Sequence, residues 1–106
     1  MSDFLTLGEK QKAREVIERA MRAGYAIRVW EGEDWALSKP SLNVAEIMAA
    51  LGSTGEDRID FVEPTPYTGQ SYKKVGWILF IYGNCPDGSE LYADWSDNEL
   101  TNKIVS

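Results

Sequence analysis

Histidine is absent from all 106 residues, and cysteine occurs once, as Cys85. The first absence excludes Ser/His/Asp and Cys/His nucleophile pairs of the usual kind, HExxH zinc sites, and any general base with an unperturbed pKa near neutrality. The second excludes an internal disulfide and zinc centres built from several cysteines. Catalysis would have to rest on carboxylates, lysine or tyrosine. Long apolar runs are missing as well. The strongest, Trp77 to Tyr82, is far too short to cross a bilayer, and the first dozen residues lack the basic region and apolar core of a secretory leader. The expectation is a cytoplasmic protein with no membrane partner.

Positive charge is scarce and unevenly placed. Residues 1 to 53 carry seven Lys/Arg against eight Asp/Glu, whereas residues 54 to 106 carry four against nine, within a total of −6. Between Asn84 and Asn102 there are five acidic residues and no basic one. Such a surface repels phosphate backbones and attracts basic partners, so nucleic acid is not an expected ligand. Any single carboxylate, however, is accounted for by solubility alone. What the chain does have is a globular composition: 43% hydrophobic and 11% aromatic, with four Trp and five Tyr. One domain, 1–106, is expected, able to close a single core without disulfides or a structural metal.

The punctuation of the chain sets its elements. Thr6 and Glu9 have capping-box spacing, and Ala13, Val16, Ile17, Ala20 and Met21 then recur at helical spacing until Gly24. Glu15 with Arg19 and Glu18 with Arg22 supply favourable i,i+4 pairs. "YAIRVW" (25 to 30) alternates, with Ile27 and Val29 opposite Arg28 and Trp30; "EGED" reads as a hairpin turn, and "WALS" (35 to 38) resumes the extended chain. Pro40 and Ser41 are expected to break that strand. Asn43 and Glu46 repeat the capping spacing ahead of Val44, Ile47, Met48 and Leu51, and Gly52 closes the second helix. "RIDFV" (58 to 62) alternates again, residues 63 to 73 form a loop rich in proline, "KVGWILFIYG" (74 to 83) is the strongest strand, "NCPDGS" turns, and "ELYADW" (90 to 95) pairs back. The order α-β-β-α-β-β-β with a short C-terminal helix implies an α+β fold, a largely antiparallel sheet of about five strands with helices packed on one face.

"ADWSDNEL" (93 to 100) gathers Asp94, Asp97 and Glu99 around Trp95. Ser96 and Glu99 have capping-box spacing ahead of Leu100 and Ile104, so Ser96 is expected to cap the last helix, with Asp97 and Glu99 near its positive end. A calcium loop would need a glycine at the sharp turn and alternating ligands, which this stretch lacks. No metal site, cofactor or catalytic residue is therefore assigned. "TGQSYKK" lacks the phosphate-loop pattern, Cys85 sits in a turn with no basic neighbour to activate it, and Asp60 alternates outward without need of a catalytic role.

The strand "VGWILFIY" is apolar on both faces, with Val75, Trp77, Leu79 and Ile81 facing one way and Ile78, Phe80 and Tyr82 the other. Helices covering one side leave the other in need of a partner. We assign the helix-covered side to the first set, and place Ile78, Phe80 and Tyr82, with Trp30 and Val62, on the face that meets the loop at 64 to 72, the terminal helix or another chain.

The series "AGYAIRVWEGEDWALSKP", "EIMAALGSTGEDRIDF", "KVGWILFIYGN" and "ADWSDNEL" resembles a family of small proteins encoded by tailed phages and prophages of Gram-negative bacteria. Its members carry "DGEEWALKRS", "VGW" and "DYSDN"-like stretches. The likeness runs from Ala23 to Leu100, departs at Trp95, where tyrosine is expected, and in the longer segment from Pro64 to Tyr72. It implies a setting, the cytoplasm of an infected bacterium, and no reaction.

Three function classes follow. The first is a non-enzymatic phage or prophage accessory protein, such as a counter-defence factor, that binds a host or phage protein, or a second copy of itself as a homodimer. Its expected contacts are Asp94, Trp95, Asp97 and Glu99 in the acidic stretch and Ile78, Phe80 and Tyr82 on the sheet. The second is a binder of a small molecule such as a nucleotide signal, which would need Arg28, Lys39, Lys73 and Lys74 to converge. The third, ranked last, is an enzyme using Asp94, Asp97 and Glu99 with a divalent ion.

Overall fold

The computed structural model describes residues 4–63, 73–83, 87–89 and 91–105. Cys85 and the segment 64–72 lie outside the described residues. Eight elements follow in order: α1 (Leu7–Arg22), β1 (Ala26–Trp30), β2 (Trp35–Ser41), α2 (Val44–Ala50), β3 (Glu56–Val62), β4 (Lys74–Ile81), β5 (Tyr92–Trp95) and α3 (Glu99–Val105). The strands form one antiparallel sheet in the order β2-β1-β3-β4-β5. This is the expected α+β fold with a short C-terminal helix.

Local chemistry sets most boundaries. The Thr6 hydroxyl accepts from the Glu9 amide at 3.2 Å, and Oε1 of Glu9 accepts from the Thr6 amide at 2.9 Å, which closes the capping box of α1. Asn43 caps α2 by accepting from the Glu46 amide at 3.1 Å. Glu9 does more than cap: fully buried, it also accepts from the Gly83 amide at 3.0 Å and so fastens the end of β4 to the start of α1. Gly88, at φ +79°, lies so close that a Cβ there would stand 2.5 Å from the Gly8 carbonyl oxygen. Pro40 and Ser41 do not break β2, contrary to expectation. β2 is an edge strand, where a missing N–H need cost no ladder bond, so proline is tolerated.

All three helices share one face of the sheet. Val16, Ile17 and Ala20 of α1, Ile47 of α2 and Ile104 of α3 pack in one cluster with Ile27, Val29, Ile59, Phe61, Ile78 and Phe80 of the strands. Each of these larger side chains contributes roughly 1.5–3 kcal/mol by leaving water. Ile78, Phe80 and Tyr82 are therefore core residues, which corrects their assignment to a contact surface. The cause is register: Ile59 faces Ile78, Asp57 faces Phe80 and Phe61 faces Gly76, so the even-numbered side chains of β4 share the face of Ile59 and Phe61. The hole at Gly76 admits α3, whose Thr101 hydroxyl occupies the space a Cβ would need. Trp77, Leu79 and Ile81 point the other way.

Candidate functional site

The face turned away from the helices carries a cross-strand row that spans every strand. Trp35 of β2, Trp30 of β1, Arg58 of β3, Leu79 of β4 and Asp94 of β5 are successive Cα partners. One step along the strands, Arg28, Asp60 and Trp77 form a second row. Three of the four tryptophans thus stand on this outer face, each partly exposed, and among the described residues no helix lies over it.

Their geometry is fixed by neighbours on the same face. Trp30 and Trp35 meet edge to face, with ring centroids 5.0 Å apart, because the turn 31–34 returns the chain directly opposite Trp30. The Glu31 amide donates to the Asp34 carbonyl at 2.9 Å to close that turn. The Arg28 guanidinium lies 3.9 Å from the Trp35 ring centroid. Its Nε is buried without a hydrogen-bond partner, and the cation–π contact is the compensation on view. Arg58 grips Asp60 through two bonds, Nε to Oδ1 at 2.8 Å and Nη2 to Oδ2 at 3.1 Å, and Lys74 approaches Asp60 at 3.3 Å. Asp60 does alternate outward, yet it is only 2% exposed and is paired with two cationic neighbours.

Between these groups lies a cleft of about 310 Å³, lined by Trp30, Trp77, Leu79, Arg58, Glu56 and Asp94. Apolar walls alternate with charge around it. Arg58 shares the Asp60 carboxylate with Lys74, and Glu56 and Asp94, both exposed, bring two further carboxylates to the cleft. At the Glu56 end lies Asp57, on the core side of β3. Burial raises its pKa from 3.8 to about 6, against the hydrogen bonds from Tyr82 and Gly52 that lower it, and the charges of Glu31 and Glu56 push it further up.

The acidic residues of 94–99 do not form one surface. Asp94 belongs to the outer cleft. Trp95, paired with Ile78, sits on the helix side of the sheet edge, 38% exposed, and its Nε1 donates to Asn102 of α3 at 3.2 Å. Asn102 in turn donates to Asp97 at 3.0 Å. Glu99 is exposed in the first turn of α3. Ser96 does not cap α3. Asn98 does, its Oδ1 accepting from the Thr101 amide at 2.9 Å and its carbonyl from Asn102 at 2.9 Å. Ser96 instead prolongs the β5 ladder: its amide donates to the Trp77 carbonyl at 3.0 Å and its hydroxyl accepts from the Trp77 amide at 3.0 Å.

Among the described residues no three acidic or cysteine side chains are grouped to hold a metal ion. Of the four cations named for a phosphorylated ligand, Arg28 lies against the Trp35 ring. Lys39 is on edge strand β2, three strand spacings or about 14 Å from the strand of Lys74, which is held by Asp60. No helix of the described residues is long and apolar enough to cross a membrane.

Sequence reasoning missed Trp35, Trp77, Leu79, Arg58 and Glu56 as candidates. The signal for Trp35 was present, because "W-EGED-W" places two indoles at either foot of a hairpin. For Trp77 and Leu79 the doubly apolar strand gave no parity. No protein family, curated protein or solved structure matches the chain, so its resemblance to phage proteins rests on the quoted stretches alone.

Proposed function

We propose that the chain is a non-catalytic binding module that engages a partner protein through the outer face of its sheet. The setting we propose is the cytoplasm of a phage-infected or lysogenic bacterium, where it would act as a phage accessory protein. One observation carries the reading: three tryptophans and Leu79 stand together on a sheet face that no described helix covers. Tryptophan supplies large apolar area with little loss of side-chain entropy, and tryptophan and arginine are enriched among the residues that dominate protein contact energies. The scattered positions of Asp94, Asp97 and Glu99 favour binding over metal-assisted catalysis.

The test is a tagged capture from infected cells, run in parallel with wild type, Leu79→Lys and Asp97→Asn. Leu79→Lys places a charge at the centre of the outer face and leaves the core untouched. A partner held by wild type and by Asp97→Asn but lost with Leu79→Lys is the expected outcome. Retention by Leu79→Lys overturns the reading. A wild-type homodimer that Leu79→Lys dissociates would assign the same face to self-association.

A further inference from the structure

We propose that the cleft between Trp30, Trp77 and Leu79 receives an arginine or lysine side chain from a basic segment of the partner, with Glu56 and Asp94 pairing its charge. The inference rests on the binding reading above and names the chemistry of the occupant. Register fixes the arrangement. Around the floor made by Arg58 and Leu79, Trp30 stands one strand away on β1 and Asp94 one strand away on β5. Trp77 lies one row toward one end of the strands, and Glu56 one row toward the other. Two indoles and two carboxylates thus surround one space.

Each part suits a long cationic side chain. An indole face attracts an ammonium or guanidinium and packs against its methylene stem. A carboxylate at the far end pairs the charge, and the planar fork of arginine matches it best. Asp60, which Lys74 also approaches, holds the Arg58 guanidinium in two hydrogen bonds and so lessens its repulsion of such a guest. A second copy of this chain carries a net charge of −6 as a whole, and a nucleic acid would bring phosphates, so both are disfavoured against a basic protein segment.

The four indole N–H signals of a ¹⁵N-labelled sample offer a direct readout. A short oligo-arginine peptide, an oligo-lysine peptide and an oligo-glutamate peptide are titrated in turn. The expected result is saturable movement of the Trp30 and Trp77 signals with the basic peptides, no movement of Trp95, and no response to oligo-glutamate. The Glu56→Gln/Asp94→Asn double variant, changed only at exposed positions, should keep its spectrum and lose affinity by about tenfold. Unchanged affinity in that variant, or movement of Trp95 instead of Trp30 and Trp77, would overturn the proposal. The two levels are separable. A captured partner that Leu79→Lys loses and Glu56→Gln/Asp94→Asn retains sinks the cationic guest and leaves the binding face standing. A partner that Leu79→Lys retains sinks the face itself.

Discussion

Tyr82 donates its phenolic hydroxyl to Oδ2 of Asp57 at 2.6 Å, in a place where both side chains are buried. The Gly52 amide donates to the same oxygen at 2.8 Å, while Oδ1 has no partner. Two hydrogen bonds do not repay the desolvation of the carboxylate, and its pKa rises from 3.8 to about 6.

The consequence is a stability that runs against the usual acid trend. The folded protein holds the Asp57 proton more tightly than the unfolded chain does, so this group's contribution is fullest below pH 4. It is lost as pH rises from about 4 to 6. The loss is roughly 3 kcal/mol. Asp57→Asn removes this dependence, so wild type should gain stability relative to Asp57→Asn as the pH is lowered from 7 to 4.5, read from urea midpoints. Parallel profiles would contradict the buried-carboxylate assignment.

Asn98 rather than Ser96 begins the last helix, and the two are separable by substitution. Asn98→Ala removes the cap and the Nδ2 bond to the Val75 carbonyl at 2.9 Å, and should cost about 2 kcal/mol. Asn98→Asp keeps the capping oxygen and should cost less. Glu99→Ala should be nearly neutral, because Ser96 forms no capping box with it. A chemical denaturation series measures all three, and a large loss in Glu99→Ala would restore Ser96 as the cap.

Gly76 and Thr101 are coupled through one missing atom. A Cβ at position 76 would collide with the Thr101 hydroxyl and lie 3.2 Å from the Ser96 hydroxyl and 3.4 Å from the Phe61 ring. Gly76→Ala should therefore destabilise by about 1–3 kcal/mol. The cost should shrink in a Thr101→Ala background, and the double-mutant cycle reads the difference. Strict additivity would mean that α3 moves away from β4 without resistance.

How far the sequence could be read depended on whether a residue's neighbours were local. Thr6 with Glu9, and Asn43, cap their helices by contacts within one turn, and both were legible. "SDNEL" reads with Ser96 as the cap, but the Trp77 backbone claims Ser96 from another strand, and the cap falls to Asn98. The parity of β4 was invisible for the same reason. With apolar residues on both faces, only the pairing of Phe61 with Gly76 and the docking of α3 decide which side becomes core. That one decision moved the candidate surface from Ile78, Phe80 and Tyr82 to Trp77 and Leu79. Pro40 misled because edge position, a property of the whole sheet, is what allows it inside a strand.

The most direct measurement places a photo-crosslinking benzoylphenylalanine at position 79 in one variant and at position 97 in another, and irradiates both in phage-infected cells. Leu79 sits at the centre of the outer face and Asp97 beside α3, so the two probes report opposite sides of the sheet. A discrete protein adduct from position 79, with none from position 97, is the expected result. An adduct from position 97 alone would contradict the outer face as the contact surface and return it to the acidic terminal stretch.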